Sequence, residues 1–205
     1  SDVALISQAG TPCISDPGYH LVRAAVAAGH PVVPLPGPSA IVSAAAASAL
    51  RVDQFLYLGF LPRAEKARRE LLSSVSDMPY TLIFFEAPHR LRRSLRTLSE
   101  TLGDRQVAIA RELTKIHEEI WRGSAQEAIQ HFDRVEPRGE FTLVVQRPTA
   151  EQVRIWEEDE VYEATVQLVA SGLKLSAASR EIAQLSQWKR SEVYDLWHRR
   201  SQSGS

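Results

Sequence analysis

The residues best suited to chemistry stand in two short loops of one character. Ser7 to Gly18 reads SQAGTPCISDPG, and Pro36 to Ser39 reads PGPS. In the first, Gly10 and Gly18 remove side chains that would block close approach, Pro12 and Pro17 fix the backbone, and Thr11, Ser15 and Asp16 supply polar atoms. Such a loop is preorganised to hold a polar ligand against its backbone. Neither loop has the GxGxxG spacing of a dinucleotide site or the GKS/T ending of a phosphate loop, which disfavours a nucleotide-phosphate site. The bland alternative is that Asp16-Pro17 simply starts a helix, as an N-cap followed by proline at the first helical position.

The elements around these loops would bring them to one rim. Val3-Ala4-Leu5-Ile6 is an apolar run suited to a strand buried on both faces, and Tyr19 to Ala28 carries helical spacing that stops at Gly29. Val32 to Leu35 reads as a second strand, and Ser39 is placed to cap a helix over Ala40 to Leu50. In a parallel sheet both strand-to-helix loops lie at the carboxyl edge, where ligands bind. A sheet whose first strand starts at Val3 also carries the expectation that earlier strands have been cut away.

A second unit begins after the polar break Arg51 to Gln54. Strands are predicted over 55–61, 81–85, 106–110, 119–122 and 140–145, with helices over 63–75, after Pro88, and over 124–132. The close succession of strands around Lys115 to Glu118 implies a hairpin, hence a mixed sheet. Beyond a polar, acidic stretch, three short helices follow over 161–170, 177–185 and 192–200, the last two resembling a helix-turn-helix. Trp188, Val193, Leu196 and Trp197 are expected in their core, with Lys189, Arg190, Arg199 and Arg200 solvated. The domain reading is therefore 1–53, 54–148, a linker at 149–160 and a helical tail at 161–205.

Composition narrows the function classes. A formal net charge of −1 over 205 residues excludes a generally cationic nucleic-acid coat, so any RNA contact needs a local patch. The single cysteine, Cys13, cannot make an internal disulfide, which agrees with a cytoplasmic setting. No apolar run approaches the roughly 20 residues of a membrane span, no signal peptide opens the chain, and no metal site is expected.

In order along the chain, SQAGTPCISDPG, VVPLPGPSA, FLYLGFLPR, FFEAPHRL, ARELTKIHEE, WRG and GEFTLVV resemble successive blocks of the ribosomal RNA small subunit methyltransferase I family, within the tetrapyrrole methylase superfamily. The resemblance runs from about Asp2 to Val145, and a helical tail occurs in the family too. It implies an α/β protein with two α/β domains, the first a parallel sheet, here truncated, and the second a mixed sheet, plus a small carboxyl-terminal helical bundle. The implied activity is S-adenosylmethionine-dependent methylation of the 2′-hydroxyl of a cytidine ribose in 16S ribosomal RNA. A homodimer is implied by analogy alone.

By position, the resemblance assigns cofactor contacts to Ala9, Gly10, Thr11, Ile14, Ser39 and Ala40, and from the second domain to Phe85, Glu86, Glu112 and Leu113. Methyl transfer from a sulfonium is an in-line displacement, so the enzyme must hold the ribose oxygen roughly 3 Å from the methyl carbon and deal with the hydroxyl proton. The candidates at the cleft mouth are Glu86, His89, Arg90, Glu112, Lys115 and Glu118. Glu86 and Lys115 rank first as catalytic groups, with Lys115 and Glu118 a possible polarising pair. Arg63, Lys66, Arg68, Arg69, Arg90, Arg92, Arg93 and Arg96 form the expected RNA-binding patch.

Three departures from the family pattern stand out. Gln8 replaces a common Asp, Cys13 replaces a common Gly, and the family's amino-terminal GTPIGNL loop and DTR segment have no counterpart. The rival readings are a transferase of the same superfamily acting on a small molecule, such as a tetrapyrrole or a diphthamide precursor, and a non-catalytic RNA-binding remnant.

Overall fold

The computed structural model describes residues 2–149, 156–186 and 188–202. Five strands form one mixed sheet: β1 (Phe55–Phe60), β2 (Thr81–Glu86), β3 (Gln106–Arg111), β4 (Glu119–Ser124) and β5 (Phe141–Val145), in the order β1-β2-β5-β3-β4. β1 and β2 run parallel, and β5 and β4 run antiparallel to their neighbours. The carboxyl ends of β1, β2 and β3 therefore share one edge with the starts of β4 and β5. The hairpin expected at Lys115 to Glu118 is the β3–β4 connection.

Strand alternation divides the side chains between two faces. Leu82 and Phe84, Val107 and Ile109, and Phe141, Leu143 and Val145 point to one face, and Ile83, Ala108, Ala110 and Val144 to the other. The first face is covered by α3 (Glu65–Ser74), α4 (Pro88–Leu102) and α5 (Ala125–Arg134). Pro88 starts α4, and Leu91, Leu95, Leu98 and Leu102 recur on its inner stripe, all buried. At about 1.5–3 kcal/mol per fully buried leucine, that stripe is what fixes α4 to the sheet. In α5, Ser124 and Glu127 form a reciprocal capping box.

The second face meets a single helix, α2 (Ala40–Ala47), through Ile41, Ala44 and Ala45. Before it stands α1 (Tyr19–Ala27), whose exit bends at Gly29 with φ 76°. The strands expected at Val3–Ile6 and Val32–Leu35 do not form: no strand precedes Phe55 among the described residues. A strand exists only as one rung set of a ladder, and neither segment meets a neighbour. Their side chains stay in solvent, with Ile6 and Leu35 each 85% exposed. The parallel sheet of the first unit is thus absent from the described residues, whereas the mixed sheet of the second unit matches expectation strand for strand.

The tail folds as α6 (Glu158–Ala170), α7 (Leu175–Ser186) and α8 (Arg190–Gln202) around Val161, Ile182, Val193 and Leu196. Trp188 packs against this core and Trp197 lies 6.0 Å from Tyr162, ring to ring. Part of the expected linker lies outside the described residues, and its end, from Glu158, is already helix. Arg200 is not free in solvent, since it pairs with Asp159 at 2.6 Å and lies over the Tyr162 ring. No helix among the described residues is long and apolar enough to cross a membrane.

Candidate functional site

The two loops singled out from the sequence meet. Thr11 Oγ1 donates to the Pro38 carbonyl at 2.9 Å, directly beside Ser39. Ser39 caps α2, its hydroxyl accepting from the Val42 amide at 3.4 Å. The first loop then reaches the second face of the sheet, where Ser15 Oγ and the Tyr57 hydroxyl share a 2.6 Å hydrogen bond. Burial raises the Tyr57 phenol above its ordinary value, against the Ser15 bond that lowers it, so this group is a neutral donor or acceptor.

Within the loop, Gly10, Cys13, Ser15 and Gly18 all have positive φ. Apart from a turn between the Ile14 amide and the Thr11 carbonyl, its backbone belongs to no helix or ladder. Gly18, not Asp16, occupies the N-cap of α1. A Cβ on Gly18 would meet Cys13 Sγ at 2.7 Å and Leu5 Cδ2 at 2.8 Å, so the loop closes over this glycine. Cys13, at φ 71°, stands where the family pattern has glycine, in the conformation glycine adopts freely. Cys13→Gly is therefore expected to raise the unfolding free energy by about 1 kcal/mol through relief of left-handed strain, measured by urea denaturation.

The expected contact residues separate into two groups. Ala9, Gly10, Thr11, Ile14, Ser39 and Ala40 all lie on the joined loops, with Ile14 46% exposed. Phe85 and Leu113 pack on the second face with α2 and Tyr57. Glu86 and Glu112 do not join them. Glu86 follows Phe85 in the strand and so points to the opposite face, where it is buried under α4. There its carboxylate accepts from the Ala87 amide at 2.8 Å, from the Arg90 guanidinium and from the Ser94 hydroxyl. Both oxygens of Glu86 are thus bonded within the protein, and the residue braces the start of α4. Expected from the sequence to handle the proton, Glu86 is placed by the structure beneath α4, apart from the joined loops.

Glu112 straps the β3–β4 connection to the segment entering β5 at the sheet edge. Its Oε1 accepts from the Glu140 amide at 2.9 Å and from Lys115 Nζ at 3.0 Å, while Lys115 also reaches Glu140 at 3.1 Å. Its carboxyl is held below the ordinary 4.5 by the Glu140 backbone N–H first and by Lys115 second. Lys115 is raised by the same two carboxylates. Lys115 thus keeps its charge at neutral pH: it can stabilise negative charge but not accept a proton. Its expected pairing with Glu118 does not form among the described residues, because Glu118 accepts the Thr114 amide at 2.6 Å instead.

A lowered folded value means the Glu112 strap is complete above about pH 4.5 and is lost as pH falls through the lower folded value. Amide exchange at Glu140 is expected to stay protected at neutral pH and to lose that protection in acid, at a pH below the ordinary 4.5 of a glutamate. Protection unchanged by acid would show that the strap does not hold this amide.

The residues of the expected basic patch stand in different surroundings. Arg68 is 1% exposed, with its guanidinium on Thr97 Oγ1 and on the carbonyls of Pro62 and Arg63. Buried there, it cannot touch RNA. Arg69 is paired with Glu65 and Glu100, Arg92 with Glu136, Arg96 with Asp133 and Arg90 with Glu86. Lys66 stands 4.0 Å from Glu70. Arg63 and Arg93 are exposed and have no acidic partner among the described residues. His89, exposed in the first turn of α4, likewise has none.

Sequence reasoning missed Tyr57, which ties the sheet to the loop. The available signal was Gly59 inside an otherwise apolar strand, a mark of a bulge or a close backbone approach. A Cβ on Gly59 would lie 3.8 Å from Ser15 Oγ, so this is indeed where the loop passes.

The residues present fit an adenosyl sulfonium compound. A Cβ on Gly10 would meet no atom within 4 Å, so the space over the loop is open. The hydroxyls and irregular backbone of the loop suit the polar amino-acid end of such a ligand, and the apolar face at Phe85 and Leu113 suits its flat ring. No group of three or more His, Cys, Asp and Glu side chains among the described residues is placed to hold a metal.

Residues 1–129 match the family model described as Tetrapyrrole (Corrin/Porphyrin) Methylases. The chain is 42% identical over 196 residues to "Ribosomal RNA small subunit methyltransferase I" of Synechocystis sp., covering 95% of this chain and 70% of that one. It is 38% identical over 200 residues to the protein of the same name from Halalkalibacterium halodurans, covering 96% of this chain and 69% of that one. Among solved structures, the methyltransferase CobJ superposes with a TM-score of 0.51 at 21% identity, over 68% of this chain and 67% of that chain, which speaks for the fold. The chain belongs to the tetrapyrrole methylase family, with the ribosomal RNA small subunit methyltransferase I proteins as its relatives.

Proposed function

We propose that this protein transfers a methyl group from S-adenosylmethionine to the 2′-hydroxyl of a cytidine ribose in the RNA of the small ribosomal subunit. The observation that carries the reading is the joining of the two loops to each other by Thr11 and to the sheet by Ser15 and Tyr57, in a chain 42% identical to a protein named "Ribosomal RNA small subunit methyltransferase I". When bound, the sulfonium supplies an electrophilic methyl group.

The chain's own residues do the positioning. Ala9, Gly10, Thr11 and Ile14 hold the donor from one loop and Ser39 and Ala40 from the other, with Phe85 and Leu113 as the apolar wall. Orientation is the main contribution, since holding two reactants in line replaces a bimolecular encounter. Lys115, kept cationic by Glu112 and Glu140, offers charge stabilisation to the developing alkoxide at the same sheet edge. His89, exposed and with no acidic partner among the described residues, is assigned the role of proton acceptor in preference to the buried Glu86. RNA phosphates are held by Arg63 and Arg93, the members of the basic set left unpaired.

The test is mass spectrometry of nucleosides from small-subunit RNA after incubation with the purified protein and methyl-labelled donor. Labelled 2′-O-methylcytidine is the expected product. A label on a base, or on a tetrapyrrole supplied in competition, would replace this reading.

A further inference from the structure

A register fault in β1 aims a second aromatic ring at the site. Tyr57 pairs with Ile83 and Phe60 with Phe85, so three steps along β1 match two along β2. The extra residue lies within Leu58-Gly59, and Gly59 has φ 69°, which makes this a glycine bulge. In an unbroken strand Tyr57 and Phe60 would point to opposite faces. The bulge puts both on the second face, with ring centroids 5.1 and 5.5 Å from Phe85, each edge to face. The next residue, Leu61, returns to the buried core of the first face.

The consequence is an aromatic surface open to solvent beside the donor loop. Phe60 is 53% exposed, although an unbulged strand would direct it toward the core. Ser15 passes over Gly59, so the ring is next to the loop and not across the molecule from it. The segment that follows is fixed from below, because the buried Arg68 donates to the carbonyls of Pro62 and Arg63. Three residues beyond Phe60, Arg63 is an exposed cation with no acidic partner among the described residues.

We infer that the Phe60 ring, set on Phe85 by the Gly59 bulge, is a stacking platform for a nucleobase of the RNA substrate, with Arg63 serving a neighbouring phosphate. This rests on the methyl-transfer reading above and adds to it the residue that seats the base. A flat ring half in water beside an unpaired cation is the pairing that binds a nucleotide, since every base has a π-face and every nucleotide a phosphate. Phe60 is a positioning residue in this role, for it would hold the nucleotide without touching the reacting atoms.

The experiment compares wild type with Phe60→Ala, Phe60→Leu and Phe60→Tyr, using unmethylated small ribosomal subunits and tritiated S-adenosylmethionine. Phe60→Ala and Phe60→Leu are expected to raise KM for the subunits by about tenfold or more, the loss of one stacked base. Phe60→Tyr should stay within about twofold of wild type, and KM for the donor and the sedimentation coefficient should not move in any variant. Leucine keeps the site apolar, so its failure alongside rescue by tyrosine separates stacking from simple packing.

Wild-type kinetics in Phe60→Leu would overturn the platform. A loss carried by KM for the donor would assign the ring to the adenine instead, and a changed sedimentation coefficient would assign it to contact between copies; either result overturns the inference. If the wild type itself transfers no methyl group to the subunit, the proposed function fails and the platform with it; an active wild type beside an equally active Phe60→Leu removes the platform alone.

Discussion

Glu86→Ala is expected to lower the unfolding free energy by about 3 kcal/mol, the cost of leaving a largely buried charge without its partner. The carboxylate is 2% exposed and accepts three donors, from the Ala87 amide, Arg90 and Ser94. Its removal strands the Arg90 guanidinium, whose Nε already has no partner among the described residues, and frees the first turn of α4. Glu86→Gln keeps two acceptor sites on one oxygen and is expected to lose about half as much. Both values come from chemical denaturation. Were Glu86 the proton acceptor, Glu86→Gln would instead keep its stability and lose kcat by orders of magnitude at unchanged donor affinity.

The second large effect belongs to Arg68, and it separates structure from RNA binding within one set of basic residues. Arg68→Met should cost about 2–3 kcal/mol, because Thr97 Oγ1 and the carbonyls of Pro62 and Arg63 lose their donor in a buried place. The slope of RNA affinity against salt should not change, since the side chain never reaches solvent. The pair Arg63→Ser and Arg93→Ser is expected to do the reverse. Stability stays within about 0.5 kcal/mol of wild type, as for ordinary surface changes. The logarithmic salt slope falls by about 1.5 as two phosphate contacts go. A filter-binding titration at several salt concentrations, beside a urea melt, reads both quantities for each variant. An unchanged slope in the double variant would remove Arg63 and Arg93 from the RNA surface.

What could be read from the sequence was what depends on local pattern. The strands of the mixed sheet, the helix after Pro88, the Ser39 cap and the hairpin at Lys115 follow from period, capping residues and turn chemistry, all local properties. The strands at Val3–Ile6 and Val32–Leu35 failed for the opposite reason, because a strand needs a neighbour that no local pattern can supply. The two loops were legible as loops, but their joining through Thr11 and Pro38 is a contact between residues 27 apart in the chain.

Where the structure separates residues that the sequence grouped, neighbours in sequence are not neighbours in space. Phe85 and Glu86 were expected together, and alternation sends one to the site and the other beneath α4. The arginines were read as a patch because they recur on two helices, whereas acidic residues distant in sequence, Glu100, Asp133 and Glu136, neutralise three of them. Phe60 was hidden by the reverse effect, since the bulge shifts it to the face that strict alternation forbids.

The most direct test of the donor site is hydrogen–deuterium exchange on the purified protein with and without S-adenosylhomocysteine. Slowed exchange is expected in Ser7 to Gly18, in Pro36 to Ala40 and around Phe85 and Leu113, the loops and wall described above. Protection confined instead to the groove lined by Trp121, Gln130, His131 and Arg134 on the far side of β4 would contradict it and place the ligand elsewhere.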